Sequence, residues 1–268
     1  MKNERERTLV SFDWALKSIL RQKDNFDILE GFLSDLLNEK ITIIDLLESE
    51  SNIDDGRDKF NRVDLKAKDG GGREIIIEVQ YDKESDYLKR VYYGTSKSAM
   101  ENMKTGVRYA GVKKIISVSI VYLKLLERDY LIKASMKFES LTGKKEINIT
   151  DEQNIFADYY FIQPEWFDDN IRSKIDEWVY MFKHSKIKGE MEATNIDKAR
   201  EKLDELKMPE EERMAYEDYE LNKAIIEDVL ETKFKEGREA GRQAVIRAMK
   251  ANGMSDEEIN GIIKETIN

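Results

Sequence analysis

Apolar positions divide the chain into a first part, in which helical and strand-like spacings alternate, and a second part with helical spacing alone. Apolar residues that recur every three or four positions predict amphipathic helices, and short, nearly continuous apolar runs predict buried strands. The predicted helices of the first part span residues 9–23, 26–38, 85–104 and 166–183. Its predicted strands span residues 41–47, 112–125, 130–139 and 155–163, apart from one hairpin. This alternation favours an α/β domain.

The hairpin lies between Asp64 and Gln80. Its turn is Asp69-Gly70-Gly71-Gly72, since glycine reaches positive φ without steric cost. The second arm, residues 74–80, is almost continuously apolar and is interrupted by Glu78, a costly place for a carboxylate without a partner. An aspartate on one arm and Glu-x-Gln on the other are able to converge on a divalent cation. The alternative is a structural hairpin with one exposed acid and one acid in a salt bridge.

From about residue 186 onward the pattern is charged and helical. Pro209, followed by three glutamates, is a favourable helix start, because acids suit the positive end of the helix dipole. Ser255 and Glu258 have the spacing of a capping box that opens a final short helix. These features predict a domain over residues 1–185 and a helical accessory or oligomerisation segment over residues 186–268.

Composition limits the chemistry that this chain can perform. Its 268 residues include no cysteine and one histidine, which excludes a disulfide framework, a thiolate metal site and a histidine-rich metal site. The net charge of −10 counts against a generic DNA-coating protein, although metal-binding carboxylates add to the negative total. No stretch has the roughly 20 apolar residues of a membrane span, and the first residues lack an apolar signal core. We therefore expect a soluble cytoplasmic protein without membrane contact.

Several short motifs occur in the order seen in one known family. The opening helix carries Phe12-Asp13-x-x-Leu16-Lys17, and the hairpin is followed by Arg90-Val91-Tyr92-Tyr93 and by Gly106-x-x-Tyr109. The tail contains Glu236-Gly237-Arg238-Glu239-Ala240-Gly241-Arg242. In this order the chain resembles the Rpn branch of the PD-(D/E)XK nuclease superfamily, the recombination-promoting nucleases and transposases. The usual Glu-Leu-x-Lys-Phe element after the last predicted strand is absent. The resemblance implies a restriction-endonuclease-like fold, with a mixed central sheet flanked by helices.

The resemblance also implies roles for the hairpin residues. Asp64 corresponds to the motif aspartate, Glu78 to the second acid and Gln80 to a glutamine that replaces the motif lysine. Asp64, Glu78 and the backbone carbonyl of Val79 would hold Mg²⁺, or alternatively Mn²⁺, with Asp13 as a further candidate ligand. Oxygen ligands are those that Mg²⁺ prefers. Gln80 cannot take up a proton near pH 7, so we expect it to orient the attacking water by hydrogen bonding.

The helix after the hairpin combines cationic and aromatic side chains. Tyr87, Arg90 and Tyr93 are spaced three residues apart and should share one face. Such a mixture suits contact with phosphates and bases, so we expect Arg90, Tyr93 and Lys97 to bind DNA. In the alternative interpretation the tyrosines pack this helix on the sheet while their hydroxyls reach water.

Two functions follow from these features. The first is a metal-dependent DNA endonuclease that hydrolyses phosphodiester bonds and is linked to recombination, mobile elements or phage defence, with Mg²⁺ as cofactor and DNA as partner. The second is a non-catalytic interaction protein that retains the nuclease fold. A homo-oligomer assembled through the C-terminal helices is expected in either case.

Overall fold

The computed structural model describes residues 9–47, 64–81, 86–101, 112–150 and 153–267. The chain divides into two compact units, residues 1–209 and residues 210–268. The motif residues Gly106 and Tyr109 lie outside the described residues. The functional division predicted between residues 185 and 186 stays a prediction, and the structural division lies further along the chain.

The first unit contains five α-helices and eight strands among its described residues. The helices are α1 (Phe12–Ser18), α2 (Phe26–Leu37), α3 (Tyr87–Glu101), α4 (Lys174–His184) and α5 (Ile196–Lys202). The strands are β1 (Ile43–Leu47), β2 (Leu65–Asp69), β3 (Glu74–Gln80), β4 (Ile115–Val121), β5 (Leu131–Ala134), β6 (Phe138–Ser140), β7 (Lys145–Ile147) and β8 (Asp158–Ile162).

Six of these strands form one sheet, in the order β1-β2-β3-β4-β8-β5. The three central strands β3, β4 and β8 are parallel, and the pairs β1–β2, β2–β3 and β5–β8 are antiparallel. Helices precede, connect and follow these strands. The predicted α/β fold, a mixed central sheet flanked by helices, is therefore confirmed.

Helices cover both faces of the sheet. On one face, Tyr87 and Val91 of α3 pack against Val121 and Phe161 of β4 and β8. The aromatic rings of α1, α2 and α4 contact one another in a single group, namely Phe12, Phe32, Trp178 and Phe182. The hydroxyl of Tyr122, the residue after β4, donates a hydrogen bond to the carbonyl of Phe182 at 2.7 Å. Because Tyr122 follows Val121, alternation along the strand directs it to the opposite face.

Two stretches differ from the sequence prediction. The strand predicted over residues 130–139 is divided into β5 and β6, and β6 pairs with β7 in a separate hairpin. The polar composition of this hairpin gives no apolar pattern from which β7 could be predicted. Helix α4 begins at Lys174 rather than near residue 166, because Pro164–Trp166 forms a 3-10 turn and Phe167 after it is extended.

The second unit consists of two helices, α6 (Glu210–Ala251) and α7 (Asp256–Ile267). Helix α6 starts directly after Pro209, and neither Gly237 nor Gly241 interrupts it. The capping box is confirmed: the Ser255 amide donates to Glu258 Oε2 at 2.9 Å, and the Glu258 amide donates to Ser255 Oγ at 3.3 Å. Among the described residues, no helix has the length and apolar character needed to cross a membrane.

Candidate active site

The β2–β3 hairpin determines which side chains share a face of the sheet. The register of the hairpin ends at the pair Leu65–Ile77, and Asp64 is the residue directly before β2. The Asp64 carboxylate reaches the amide of Val79, the residue after Glu78 on β3. Side chains two residues apart on a strand point to the same side, which places Gln80 on the face of Glu78. This is the face covered by α3. The two predicted acids and the predicted glutamine therefore lie at one end of the hairpin.

Asp64 is held by the backbone of the opposite strand. Its Oδ2 accepts a hydrogen bond from the Val79 amide at 2.7 Å, and the Arg21 guanidinium donates to its backbone carbonyl. Burial raises the pKa of the Asp64 carboxyl, and the nearby charge of Asp13 adds to this effect. The hydrogen bond from Val79 and the charges of Lys17 and Arg90 oppose the rise in pKa. For the pKa of Asp64, burial therefore outweighs the hydrogen bond and the two cations that favour the ionised form.

Glu78 is paired with a cation from α3. Arg90 Nη1 lies 2.5 Å from Glu78 Oε1, and Arg90 Nη2 donates to Gln80 Oε1 at 2.9 Å. The guanidinium carbon lies 5.1 Å from the centre of the Tyr87 ring, within cation–π range. Burial, followed by the negative charge of Glu78, raises the pKa of the Tyr87 hydroxyl. One guanidinium thus joins the second acid to the residue at the lysine position.

Helix α1 brings a second acid and a second cation to Asp64. Asp13 is buried, and Lys17 Nζ lies 2.7 Å from its Oδ1 and 3.8 Å from Asp64 Oδ1. Sequence reasoning proposed Asp13 as a ligand and quoted Lys17 only as part of a motif. Asp13, Lys17 and Arg21 are spaced four residues apart. This spacing is the sequence signal that their side chains lie on one side of the chain, where Lys17 and Arg21 contact Asp64.

The predicted DNA-binding residues follow one side of α3. Arg90, Tyr93 and Lys97 have the i, i+3, i+7 spacing of a single helix face, and Tyr93 is 54% exposed. Tyr87, which was predicted to share this face, is buried against the sheet, whereas Tyr93 is exposed. Tyr87 therefore packs α3 on the sheet, and Tyr93 presents an aromatic ring to solvent.

The donor set fits a divalent cation held mainly by two carboxylates. Mg²⁺ commonly binds through one or two carboxylates and completes its shell with water and substrate phosphate. Asp64 has the electrostatic character of such a ligand, since a cation would compensate its buried charge. Within the described residues, no group of three acidic, histidine or cysteine side chains has the geometry to hold a metal on its own. Any cation here would need oxygen atoms from the backbone, solvent or substrate.

Comparison with known proteins agrees with the fold and the motif order. A family model described as PD-(D/E)XK nuclease family transposase matches residues 10–232. No curated protein and no solved structure matches the chain. The match covers most of the chain, including the whole hairpin, α3 and the sheet. The chain therefore belongs to the PD-(D/E)XK nuclease family transposases.

Proposed function

We propose that this protein is a metal-dependent DNA endonuclease whose metal ligands are Asp64, Glu78 and the Val79 carbonyl. The observation that carries the proposal is the hydrogen bond from the Val79 amide to Asp64, which holds the Asp64 carboxylate against the end of β3 that carries Glu78 and Gln80. The raised pKa of Asp64 supports it, because a buried carboxylate gains most from a cation. Mg²⁺ is the proposed cofactor, with Mn²⁺ as an alternative.

A divalent cation at this position would supply Lewis acidity and a more acidic bound water for attack on the phosphodiester. The protein's own contribution is to fix the ligands. The Val79 amide holds Asp64 in one orientation, and Arg90 holds Glu78. Asp13 acts indirectly, because Lys17 links it to Asp64. Gln80 contributes a hydrogen bond to the water or phosphate and carries no charge of its own.

The face of α3 beside the site is the proposed DNA contact, through Tyr93 and Lys97, and Arg90 lies at the end of this face that contacts Glu78 and Gln80. The negative net charge of the chain is compatible with DNA binding by this face, because the charge is unevenly distributed. Residues 210–268 contain 15 acidic and 9 basic residues, so they account for six of the ten excess negative charges. The unit that carries the proposed site is therefore only mildly acidic, and local basic side chains suffice for phosphate contact.

The family description joins nuclease and transposase, which supports a role in the cleavage of mobile or recombining DNA. The test is nicking of supercoiled plasmid by purified protein with Mg²⁺ or Mn²⁺, with EDTA as the metal-free control. We expect nicked product that is abolished by EDTA and by Glu78→Ala. Folded wild-type protein that leaves plasmid and linear DNA intact with several divalent metals would favour a non-catalytic interaction protein. Equal activity in Glu78→Ala would indicate contamination.

The second unit is the proposed oligomerisation segment. Helix α6 exposes large apolar side chains at spacings of four, so that they form adjacent rows: Leu221, Ile225, Ile226, Val229, Leu230 and Phe234. A second copy of the same helix would cover such a surface with a matching one. Light scattering after size exclusion should give a multiple of the 31.4 kDa chain mass for wild-type protein, and a smaller multiple for Ile225→Glu/Val229→Glu. An unchanged mass in the double variant would contradict this proposal.

A further inference from the structure

Gln80 occupies the position at which the motif has a lysine, and Arg90 lies directly on it. The Arg90 guanidinium contacts Gln80 Oε1 and Glu78 Oε1 at the same time, through different nitrogen atoms. Its side chain is 21% exposed, so it is accessible from solvent although both partners lie on the covered sheet face. A cationic side chain of α3 thus contacts Gln80 while it forms an ion pair with Glu78.

The contact with Arg90 fixes the direction of the Gln80 amide. Arginine is a donor only, so the Gln80 atom that faces Nη2 must be the carbonyl oxygen. The second lone pair of this oxygen remains an acceptor, and the NH₂ group, which donates hydrogen bonds and accepts none, is the part of Gln80 that is able to bind a phosphate oxygen. A hydrogen bond accepted at the carbonyl also polarises the amide and strengthens donation from its nitrogen. In this orientation Gln80 suits a phosphate oxygen and cannot accept a hydrogen bond from an attacking water through its nitrogen.

We propose that Arg90 and Gln80 together replace the motif lysine: Gln80 donates to a non-bridging oxygen of the scissile phosphate, and Arg90 positions its amide and supplies the charge. This inference rests on the proposed endonuclease function. It identifies the Gln80 amide as the group that binds the scissile phosphate of the DNA. Arg90 is a positioning residue in this scheme, because it acts through Gln80. The ring of Tyr87 below the guanidinium and the carboxylate of Glu78 beside it keep Arg90 in place.

The test is a double-mutant cycle in kcat and KM for plasmid nicking, with Arg90→Ala, Gln80→Lys and the combined variant. Arg90→Ala should lower kcat by about tenfold, the loss also expected for Gln80→Ala, because Arg90 acts through that amide, with KM changed by less than about threefold. Gln80→Lys should recover most of that loss in the Arg90→Ala background, because the lysine no longer needs a partner. Lys89→Ala is the matched control, since Lys89 is exposed on the same helix and pairs with Asp86.

Two further measurements separate positioning from simple structural support. Arg90→Lys retains a cation for Glu78, but a single ammonium lacks the planar fork that reaches two partners, so it should keep the melting temperature and lose about tenfold in kcat. Mn²⁺ affinity, measured by electron paramagnetic resonance, should fall in Glu78→Ala and stay within about threefold of wild type in Arg90→Ala.

Three results would overturn the inference. They are a defect in Arg90→Ala confined to KM and removed at low salt, a loss that Gln80→Lys leaves unchanged, and a weakening of Mn²⁺ binding equal to that of Glu78→Ala. Full activity in Arg90→Ala would contradict the joint role of Arg90 and Gln80 and would leave the endonuclease proposal intact. Inactive wild-type protein would remove both.

Discussion

Two glutamates on β3 have nearly the same local setting and different surroundings. Glu74 and Glu78 are four residues apart, lie on the same face of the sheet and are 5% and 8% exposed. Glu74 Oε2 accepts a hydrogen bond from Ser98 Oγ at 2.6 Å and lies 3.1 Å from Lys66 Nζ. Glu78 is paired with Arg90, which it shares with Gln80.

Burial and residue type therefore do not by themselves distinguish the proposed metal ligand Glu78 from Glu74, which has no proposed role in catalysis. Lys66 continues from Glu74 to Glu101, so the network closes within the protein and ties α3 to the sheet. Glu78 is followed by Val79, whose amide donates to Asp64, a second and partly buried carboxylate with a raised pKa. The same helix and strand therefore carry an ionic network of Glu74, Lys66 and Glu101 at one end and the Arg90 contacts with Glu78 and Gln80 at the other.

The largest expected effect concerns catalysis. Glu78→Gln should lower the nicking rate by about 10²-fold or more, because loss of a ligand weakens the cation and its activated water together. Glu74→Gln keeps the same size and strand position and removes charge only from the closed network. It should retain activity within about threefold per folded molecule. Equal losses in the two variants, measured on the same plasmid, would abolish the distinction between the two acids.

The second effect concerns the free energy of unfolding, and here the larger loss is expected at Glu74 rather than at Glu78. Glu74→Ala leaves Lys66 buried beside a half-exposed Glu101, and breaking a buried ion pair typically costs about 3 kcal/mol. Glu78→Ala should cost less, because Arg90 is more exposed and keeps Gln80 as an acceptor. Urea unfolding followed by tryptophan fluorescence reports on the right unit, since Trp14, Trp166 and Trp178 all precede residue 210. A larger loss in Glu78→Ala than in Glu74→Ala would contradict this ranking.

The sequence predicts much of this arrangement and omits a specific part of it. Turn glycines and apolar runs predict the hairpin, and the period of two then fixes that Glu78 and Gln80 share a face. These patterns do not predict the contact of Arg90 with Glu78 or that of Ser98 with Glu74, because both contacts depend on how α3 packs across the sheet. The resemblance singled out Glu78, while Glu74 received no role. The contact of Lys17 with Asp64 and the choice between a packed and an exposed Tyr87 depend on tertiary packing in the same way, since packing determines which side of a helix is buried.

A smaller effect is expected at the lysine position. Gln80→Ala should reduce the nicking rate by about tenfold, less than Glu78→Gln, because a neutral donor is lost while the carboxylate ligands remain. Arg90 then retains its contact with Glu78. The measurement is kcat at saturating DNA. A loss as large as that of Glu78→Gln would assign Gln80 a role in holding the cation.

The smallest expected effect is a gain in stability from the loss of a site carboxylate. The pKa of Asp64 is raised in the folded protein, chiefly by burial, so the fold binds its proton more tightly than the unfolded chain does. Stability from this group is fully present below the unfolded pKa and is lost as pH rises through the folded pKa. Asp64→Asn removes that cost and retains an oxygen acceptor for the Val79 amide. At pH 7 without metal, its melting temperature should exceed that of wild type by about 1–3 °C.

This gain should depend on pH and on metal in opposite ways. As pH falls through the folded pKa of Asp64, wild-type protein acquires the proton and the difference in melting temperature should narrow. Mg²⁺ or Mn²⁺ should raise the melting temperature of wild type and leave Asp64→Asn nearly unchanged, because binding to the folded state alone stabilises it. Asp197→Asn, at an exposed aspartate of α5, is the control and should give no gain at pH 7. A lower melting temperature for Asp64→Asn at pH 7 would mean that Lys17 and Arg90 already compensate the Asp64 charge.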